Sequence, residues 1–429
     1  MTEINRTQAP SFNQVSSIAF IEPVKTQLDN GVPVYYISGG SEEILKISFI
    51  FKAGKWYQPS PLIAASANKL MQEGSKNFTS VEIAEGIDQY GAFLDAEFAY
   101  DNANVTVYTL SKHLPHVLPF VKEVIAFPAF SEHEFEVYKQ NAYEKFKINL
   151  EKVSFVAHTA FMEMLLGKNN PYGKKTEAHH FEQLSLEAIK KFHQQHYNFA
   201  HATIIASGKV TDHDIKVLNQ QMGRKDLLTP FTPEINHPSI AEETSSEKIR
   251  HISKANAMQS AIRIGRVMPN RNHPDYYGLQ MLTTILGGYF GSRLMKNIRE
   301  DKGYTYGINA GIMSMQQAAF FYINTEVGVD VTDNALAEIY KEIELLQTVL
   351  VSDDELALVK NYILGQVLRS CDGPFNMASL FENVHFFGFN FDYYNNYIEK
   401  VKNIDAEEIK KLAENYLKKE DLIEVVVGK

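Results

Sequence analysis

Cysteine is nearly missing from this chain of 429 residues: it carries one, Cys371, so no disulfide can close within it and no cysteine-built zinc cage is available. Cys371 reads as a small apolar filler. No uninterrupted apolar run approaches the roughly 18 residues of a membrane span, so no transmembrane helix and no membrane partner is expected. Positive charge is also short, with 42 Lys and Arg against 52 Asp and Glu for a net charge of −10. No basic stripe with interleaved aromatics offsets this, which argues against nucleic acid as a partner. The opening Met1-Thr2-Glu3-Ile4-Asn5-Arg6 lacks a charged segment followed by an apolar one, so no secretory signal is expected and the cytoplasm is the default location. Low-complexity tracts are absent too. With 45% hydrophobic residues, the chain is expected to fold throughout, into two or three ordinary domains.

What is present is an internal echo. Phe130-Ser131-Glu132-His133-Glu134-Phe135 is answered by Val351-Ser352-Asp353-Asp354-Glu355-Leu356, with Ser131 and Ser352 lying 221 residues apart. Ile189-Lys190-Lys191 leads through Tyr197 to an apolar strand at 202–206 and Gly208. Ile409-Lys410-Lys411 leads through Tyr416 to another at 422–427 and Gly428, an offset of 220. Two separated matches at nearly one offset indicate two copies of one domain. Alternating residues predict strands at 47–51 and 261–265 and an antiparallel pair at 93–97 and 104–110, and helical spacing predicts helices over 134–151, 332–348 and 353–368. Strands alternating with paired helices place the chain in the α+β class. Three prolines within Thr229 to Pro238, and a Ser/Glu-rich run to Glu247, suit an extended connector, so we place the domains at 1–228 and 248–429 with a linker at 229–247. Acidic pairs such as Glu242-Glu243 read as solvated surface.

Fourteen histidines prompt a search for metal sites. His113 with His116 and His193 with His196 have helix-compatible spacing, and His179-His180 is an adjacent pair. None has a carboxylate placed for hydrolysis, Pro115 interrupts the first pair, and the plain reading is surface or capping histidine. Gly287, Gly288 and Gly291 lack the endings of a phosphate or dinucleotide loop and read as a turn after a helix at 277–285. Asp372-Gly373-Pro374 also reads as a turn.

The segment from Leu286 to Gly307, containing Gly-Gly-Tyr-Phe-Gly-Ser-Arg-Leu and ending in Gly-Tyr-Thr-Tyr-Gly, resembles the C-terminal domain signature of the pitrilysin family of zinc metallopeptidases, which includes insulysin and the mitochondrial processing peptidase. In that family an Arg and a Tyr seven residues apart hold the substrate's main chain, and here they match Arg299 and Tyr306. Taken without that match, Arg299 would be a surface ion-pairing residue and Tyr306 a ring packed on a sheet. Thr305 should face away from Tyr306 on an alternating strand and tolerate substitution, whereas Tyr304 shares its face. The family's N-terminal domain carries His-x-x-Glu-His before a Gly-Thr turn. Counting back from Gly74-Ser75 puts Ala65, Asn68 and Lys69 at those ligand and base positions, and Lys145, one place from Glu144, at the third ligand. A methyl, an amide and two ammonium groups cannot replace three lone-pair ligands, so no metal or other cofactor is expected in this chain.

The resemblance implies two homologous α/β-roll domains, each a mostly antiparallel sheet with helices packed on one face. It also implies a non-catalytic subunit of a two-chain metalloendopeptidase, closing like a clamshell on a catalytic subunit that brings His-x-x-Glu-His and zinc. Arg299 and Tyr306 would then act in trans on unfolded peptides, and the chain would self-pair when the partner is absent. The alternatives are an inert structural subunit resembling the core proteins of cytochrome bc complexes, and a stand-alone metallopeptidase using the spare histidines.

Overall fold

Alternation of apolar and polar residues builds two sheets, one in each half of the chain. In the computed structural model, residue 7 and residues 18–228 and 245–428 are described, so 229–244 of the expected connector, with Glu242-Glu243, lies outside them. The first sheet uses β1 (Val24–Gln27), β2 (Pro33–Ser38), β3 (Ile44–Phe51), β4 (Phe93–Phe98), β5 (Ala103–Leu110) and β6 (Thr203–Gly208), in the order β1-β2-β6-β3-β5-β4. The second uses β7 (Ile249–Ser253), β8 (Gln259–Met268), β9 (Thr305–Ser314), β10 (Ala319–Gly328) and β11 (Ile423–Gly428), in the order β7-β11-β8-β10-β9. Every pairing is antiparallel except β2 with β6 and β7 with β11. The sequence echo is thus a structural one: the strand order repeats once the extra edge strand β1 is set aside. β4 and β9 occupy matching sheet edges.

Five helices of the first half bear on the site: α1 (Ile63–Leu70), α2 (Ser80–Asp88), α3 (Leu114–Ala126), α4 (Glu132–Leu150) and α5 (Val153–Leu166). Odd-numbered side chains of β3, Leu45, Ile47, Phe49 and Phe51, join α1 and α3 in the first core. Ser131 caps α4 by accepting from the Glu134 amide, and Ser352 caps the helix Asp353–Ser370 by accepting from that of Glu355. Two echoed serines therefore do the same work.

The opposite faces of the sheets are covered by exchange. α5 lies on β8 and β11 of the second sheet, bringing Phe161 and Leu165 against Ala261, Phe320 and Val425. The helix Gly373–His385 of the second half lies on β2 and β6 of the first, bringing Met377 and Phe381 against Ile37, Ile50 and Ile205. Helices on one face therefore describe only what each half supplies to its own sheet. The Lys46 ammonium donates to Ser379 (3.2 Å) and the Asn104 amide to Glu382 (2.6 Å) across the seam.

Two local expectations change. Gly287 and Gly288 do not form a plain turn: the helix Tyr276–Thr283 runs on into a π-helical turn, Thr284–Gly288, where a Cβ on Gly287 would lie 2.6 Å from the Ala310 amide of β9. Asp372-Gly373-Pro374 opens a helix, with Asp372 at its N-cap and Pro374 in the first turn, where a missing N–H costs nothing.

Candidate peptide-holding site and degenerate metal helix

α1 carries Ala65, Asn68 and Lys69, the positions to which the resemblance assigns metal chemistry. Its apolar side, Ile63, Ala64, Ala67 and Leu70, is buried in the first core. Ala65 is half-buried and ends in a methyl group. Asn68 is buried, and its Nδ2 donates to the backbone oxygen of Glu97 on β4 and to the Tyr197 hydroxyl, both at 3.1 Å. Lys69 is exposed and held to Glu73 one turn on, at 2.8 Å. Gly74-Ser75 does form the turn: Gly74 has φ +110°, and the Ser75 amide donates to the Phe78 carbonyl (2.8 Å).

Lys145 lies on α4 and faces α1 across a cavity of about 600 Å³, whose wall carries Lys69, Glu73, Tyr138 and Lys145 together. Glu144 instead pairs with Lys147 at 2.7 Å. A methyl, a bonded amide and two ammonium groups give a divalent cation no adequate donor set and repel it, so these residues do not fit zinc. Among the described residues no three His, Cys, Asp or Glu gather as a metal-binding group.

The histidine pairs singled out by spacing have structural partners. His193 Nε2 bonds the Ile125 carbonyl and His196 Nδ1 that of Lys52, each at 2.9 Å, and burial lowers both pKa values to about 4. They are interior groups, not the surface or capping histidines expected. His180 is a capping residue, accepting at Nδ1 from the Glu177 amide, and His179 pairs with Glu177 (3.3 Å). Pro115 begins α3 instead of breaking it, and His113 and His116 both lie against the Tyr90 ring.

Arg299 and Tyr306 come together at the β9 edge. The segment Met295–Asp301 is wound as a π-helix, closed by the Lys302 amide bonding Asn297 five residues back (3.0 Å). From it Arg299 donates through Nε to the Tyr306 backbone oxygen at 2.9 Å. Its two Nη groups have no hydrogen-bond partner among the described residues. Tyr306 is 94% exposed, so its ring is not packed on the sheet and its hydroxyl is open to solvent. Neither plain reading of the pair survives.

Two neighbours carry no sequence signal of their own. Phe290 stacks on the Arg299 guanidinium, 4.5 Å from ring centre to Cζ, with the Tyr306 ring at 5.8 Å. Thr305 braces a β-bulge between Thr325 and Val327: its Oγ1 bonds the Glu326 carbonyl (2.7 Å), the Gly307 amide (3.1 Å) and the Thr325 hydroxyl (3.0 Å). Its expected indifference to substitution is therefore withdrawn.

The pair and the degenerate helix are separate features of this chain. A cavity of about 650 Å³ at the seam is lined by Asn68 and Glu97 on one side and by Arg271, Met313 and Gln316 on the other, but not by Arg299 or Tyr306. Tyr306 lies seven residues along β9 from Met313, roughly 23 Å at the rise of an extended strand.

With this geometry in place, comparison with known proteins decides the family. Residues 46–174 match the family described as insulinase (peptidase family M16), and residues 183–363 match the description peptidase M16 inactive domain. The chain belongs to peptidase family M16. It is similar to an uncharacterized zinc protease, YmxG, of Bacillus subtilis, at 21% identity over 305 residues, 70% of this chain and 72% of that one. It is also similar to a Helicobacter pylori protein named non-peptidase homolog YmxG, at 20% identity over 84% of this chain and 83% of that one. A crystal structure of a peptidase M16 inactive domain from Pseudomonas fluorescens shares the fold, with a TM-score of 0.84, 22% identity and coverage of 95% of this chain and 98% of that one. The match to the inactive domain thus covers residues 183–363, and no helix among the described residues is long and apolar enough to cross a membrane.

Proposed function

We propose that this M16 chain, built from halves 1–228 and 248–429, is the non-catalytic subunit of a two-chain cytoplasmic metalloendopeptidase, supplying Arg299 and Tyr306 in trans to a zinc-bearing His-x-x-Glu-His partner. One observation carries the reading. The positions of the metal motif hold groups that cannot bind a metal, while Arg299 and Tyr306 stand assembled at a sheet edge with their donors open. Two Nη groups and a phenol can donate to the carbonyl oxygens of an unfolded peptide, fixing its main chain and opposing negative charge that develops on one of them. The partner brings the hydrolytic chemistry. The relative named a non-peptidase homolog and the one named a zinc protease fit a family that holds both kinds of chain.

The test mixes this chain with a similar-sized protein from the same genome that carries His-x-x-Glu-His. A heterodimer should form, and an unstructured peptide should be hydrolysed only in the mixture. Arg299→Ala and Tyr306→Phe should each leave the heterodimer intact and lower turnover on the order of 100-fold, as loss of a charge-stabilising donor does. Lys296→Ala, an exposed change on the same π-helical segment, is the control. A partner fully active alone, or wild-type turnover in both variants, would reduce this chain to a structural subunit.

A further inference from the structure

Phe290 is a large apolar ring left 61% exposed, although its neighbour Tyr289 turns inward to pack on Tyr362 with ring centres 4.9 Å apart. The turn is tight, since a Cβ on Gly291 would come within 2.9 Å of the Tyr289 ring. A lone exposed ring is ordinary on a protein surface, and what sets Phe290 apart is its neighbour in space. What Phe290 touches is Arg299. The guanidinium carbon lies 4.5 Å from the Phe290 ring centre and 5.8 Å from that of Tyr306, and Nε is tied to the Tyr306 carbonyl. Stacking and this hydrogen bond together restrict a side chain that would otherwise sample many rotamers. The result is a fixed donor fork flanked by two exposed aromatic rings.

We propose that Phe290 is a specificity-determining residue of the peptide-holding site, its ring receiving a large apolar or aromatic side chain while Arg299 and Tyr306 hold the main chain. This rests on the reading of Arg299 and Tyr306 as a grip on peptide carbonyls. Main-chain donors are indifferent to sequence, so they cannot select a peptide, whereas an exposed ring beside them gains most from another ring. Phe290 also positions Arg299, and that role would affect all peptides alike.

The experiment measures fluorescence anisotropy of short labelled peptides of Ala, Gln and Lys, each with one central Phe, Ala or Glu, on the full chain. The Phe peptide should bind about tenfold tighter than the Ala peptide, as expected of one aromatic contact. Phe290→Ala should reduce that ratio to about twofold or less, while Phe290→Trp, which keeps a ring, should preserve it. Because Phe290 is exposed, an unchanged melting midpoint is expected and confirms that folding is intact. An unchanged ratio in Phe290→Ala overturns the proposal, and so does tightest binding of the Glu peptide, which would make the site an acidic-residue reader. Arg299→Ala and Tyr306→Phe separate the two levels. If they weaken all three peptides while Phe290→Ala leaves the ratio alone, only the role of Phe290 falls. If they are silent, or the wild-type chain binds none of the peptides, the grip itself falls and Phe290 with it.

Discussion

A glutamate at position 68 would have to face a carbonyl that the present asparagine satisfies. Asn68 is 4% exposed, and its amide donates to the Glu97 oxygen and to the Tyr197 hydroxyl. The tyrosine could turn its proton toward a carboxylate, but the Glu97 oxygen would lose its donor and meet a negative charge. Asn68→Glu is therefore expected to lose about 1 to 3 kcal/mol, the usual cost of a stranded buried polar group, seen as a lower melting temperature. Combined with Ala65→His and Lys69→His, it should still hold far less than one zinc per chain by elemental mass spectrometry, because Lys145 stands where the resemblance calls for a third carboxylate. Stoichiometric zinc in that triple variant would refute the account. Positions 65, 68 and 69 follow from a count back through the frame Leu70 to Ser75, and all three fall on α1. The partners of Asn68 were not legible, since they lie 29 and 129 residues away in sequence. Thr305 misled for a related reason: alternation assigns faces on a regular strand, and the bulge opposite Thr305 breaks that regularity.

At the scale of elements, the exchanged helices are what joins the halves. α5 docks where β8 has no side chain in the way: a Cβ on Gly265 would lie 1.9 Å from the Phe321 carbonyl oxygen and 2.8 Å from Phe161 Cζ of α5. Gly265→Ala must therefore shift β10, the helix, or both, and should lower stability by about 3 kcal/mol in denaturant unfolding, the upper end for overpacking. Gly365→Ala is the opposite case in the same assay. It sits exposed in the helix Asp353–Ser370 with open space around its Cβ, so replacing it should gain up to about 1 kcal/mol. Equal effects of the two changes would mean that the close approach at Gly265 is unimportant. The helices and strands themselves were legible from periodicity, and their doubling from the offset of Ser131 and Ser352. The exchange was not legible, because an apolar stripe such as Phe161, Met162 and Leu165 has the same pattern whichever sheet it covers.

For the molecule as a whole, the buried histidines set a response to acid that can be separated from all others. His193 and His196 are held neutral, each giving a ring N–H to a backbone carbonyl, and burial lowers their pKa to about 4 from an ordinary 6.5. Between those values the unfolded chain takes up protons that the folded chain refuses. Their contribution is thus complete above about pH 6.5 and is lost as pH falls toward 4, on the order of 3 kcal/mol for each. Glu382 and Asp101 at the seam act with the opposite sign, since burial raises their pKa and the folded state then favours their protonated forms as pH falls toward the ordinary carboxylate range. The total slope mixes these effects, so the informative quantity is a difference between variants. His193→Gln can still donate to the Ile125 carbonyl but does not titrate. It is expected to lower stability at pH 7.5, where the wild-type ring packs edge-on against Phe130 with centres 5.1 Å apart, yet to lose less on going to pH 5. Urea unfolding of both proteins at the two pH values measures this. Parallel losses would show that His193 is not the group refusing the proton, whereas a shallower loss in the variant ties acid sensitivity to the first core, away from the Arg299 and Tyr306 edge.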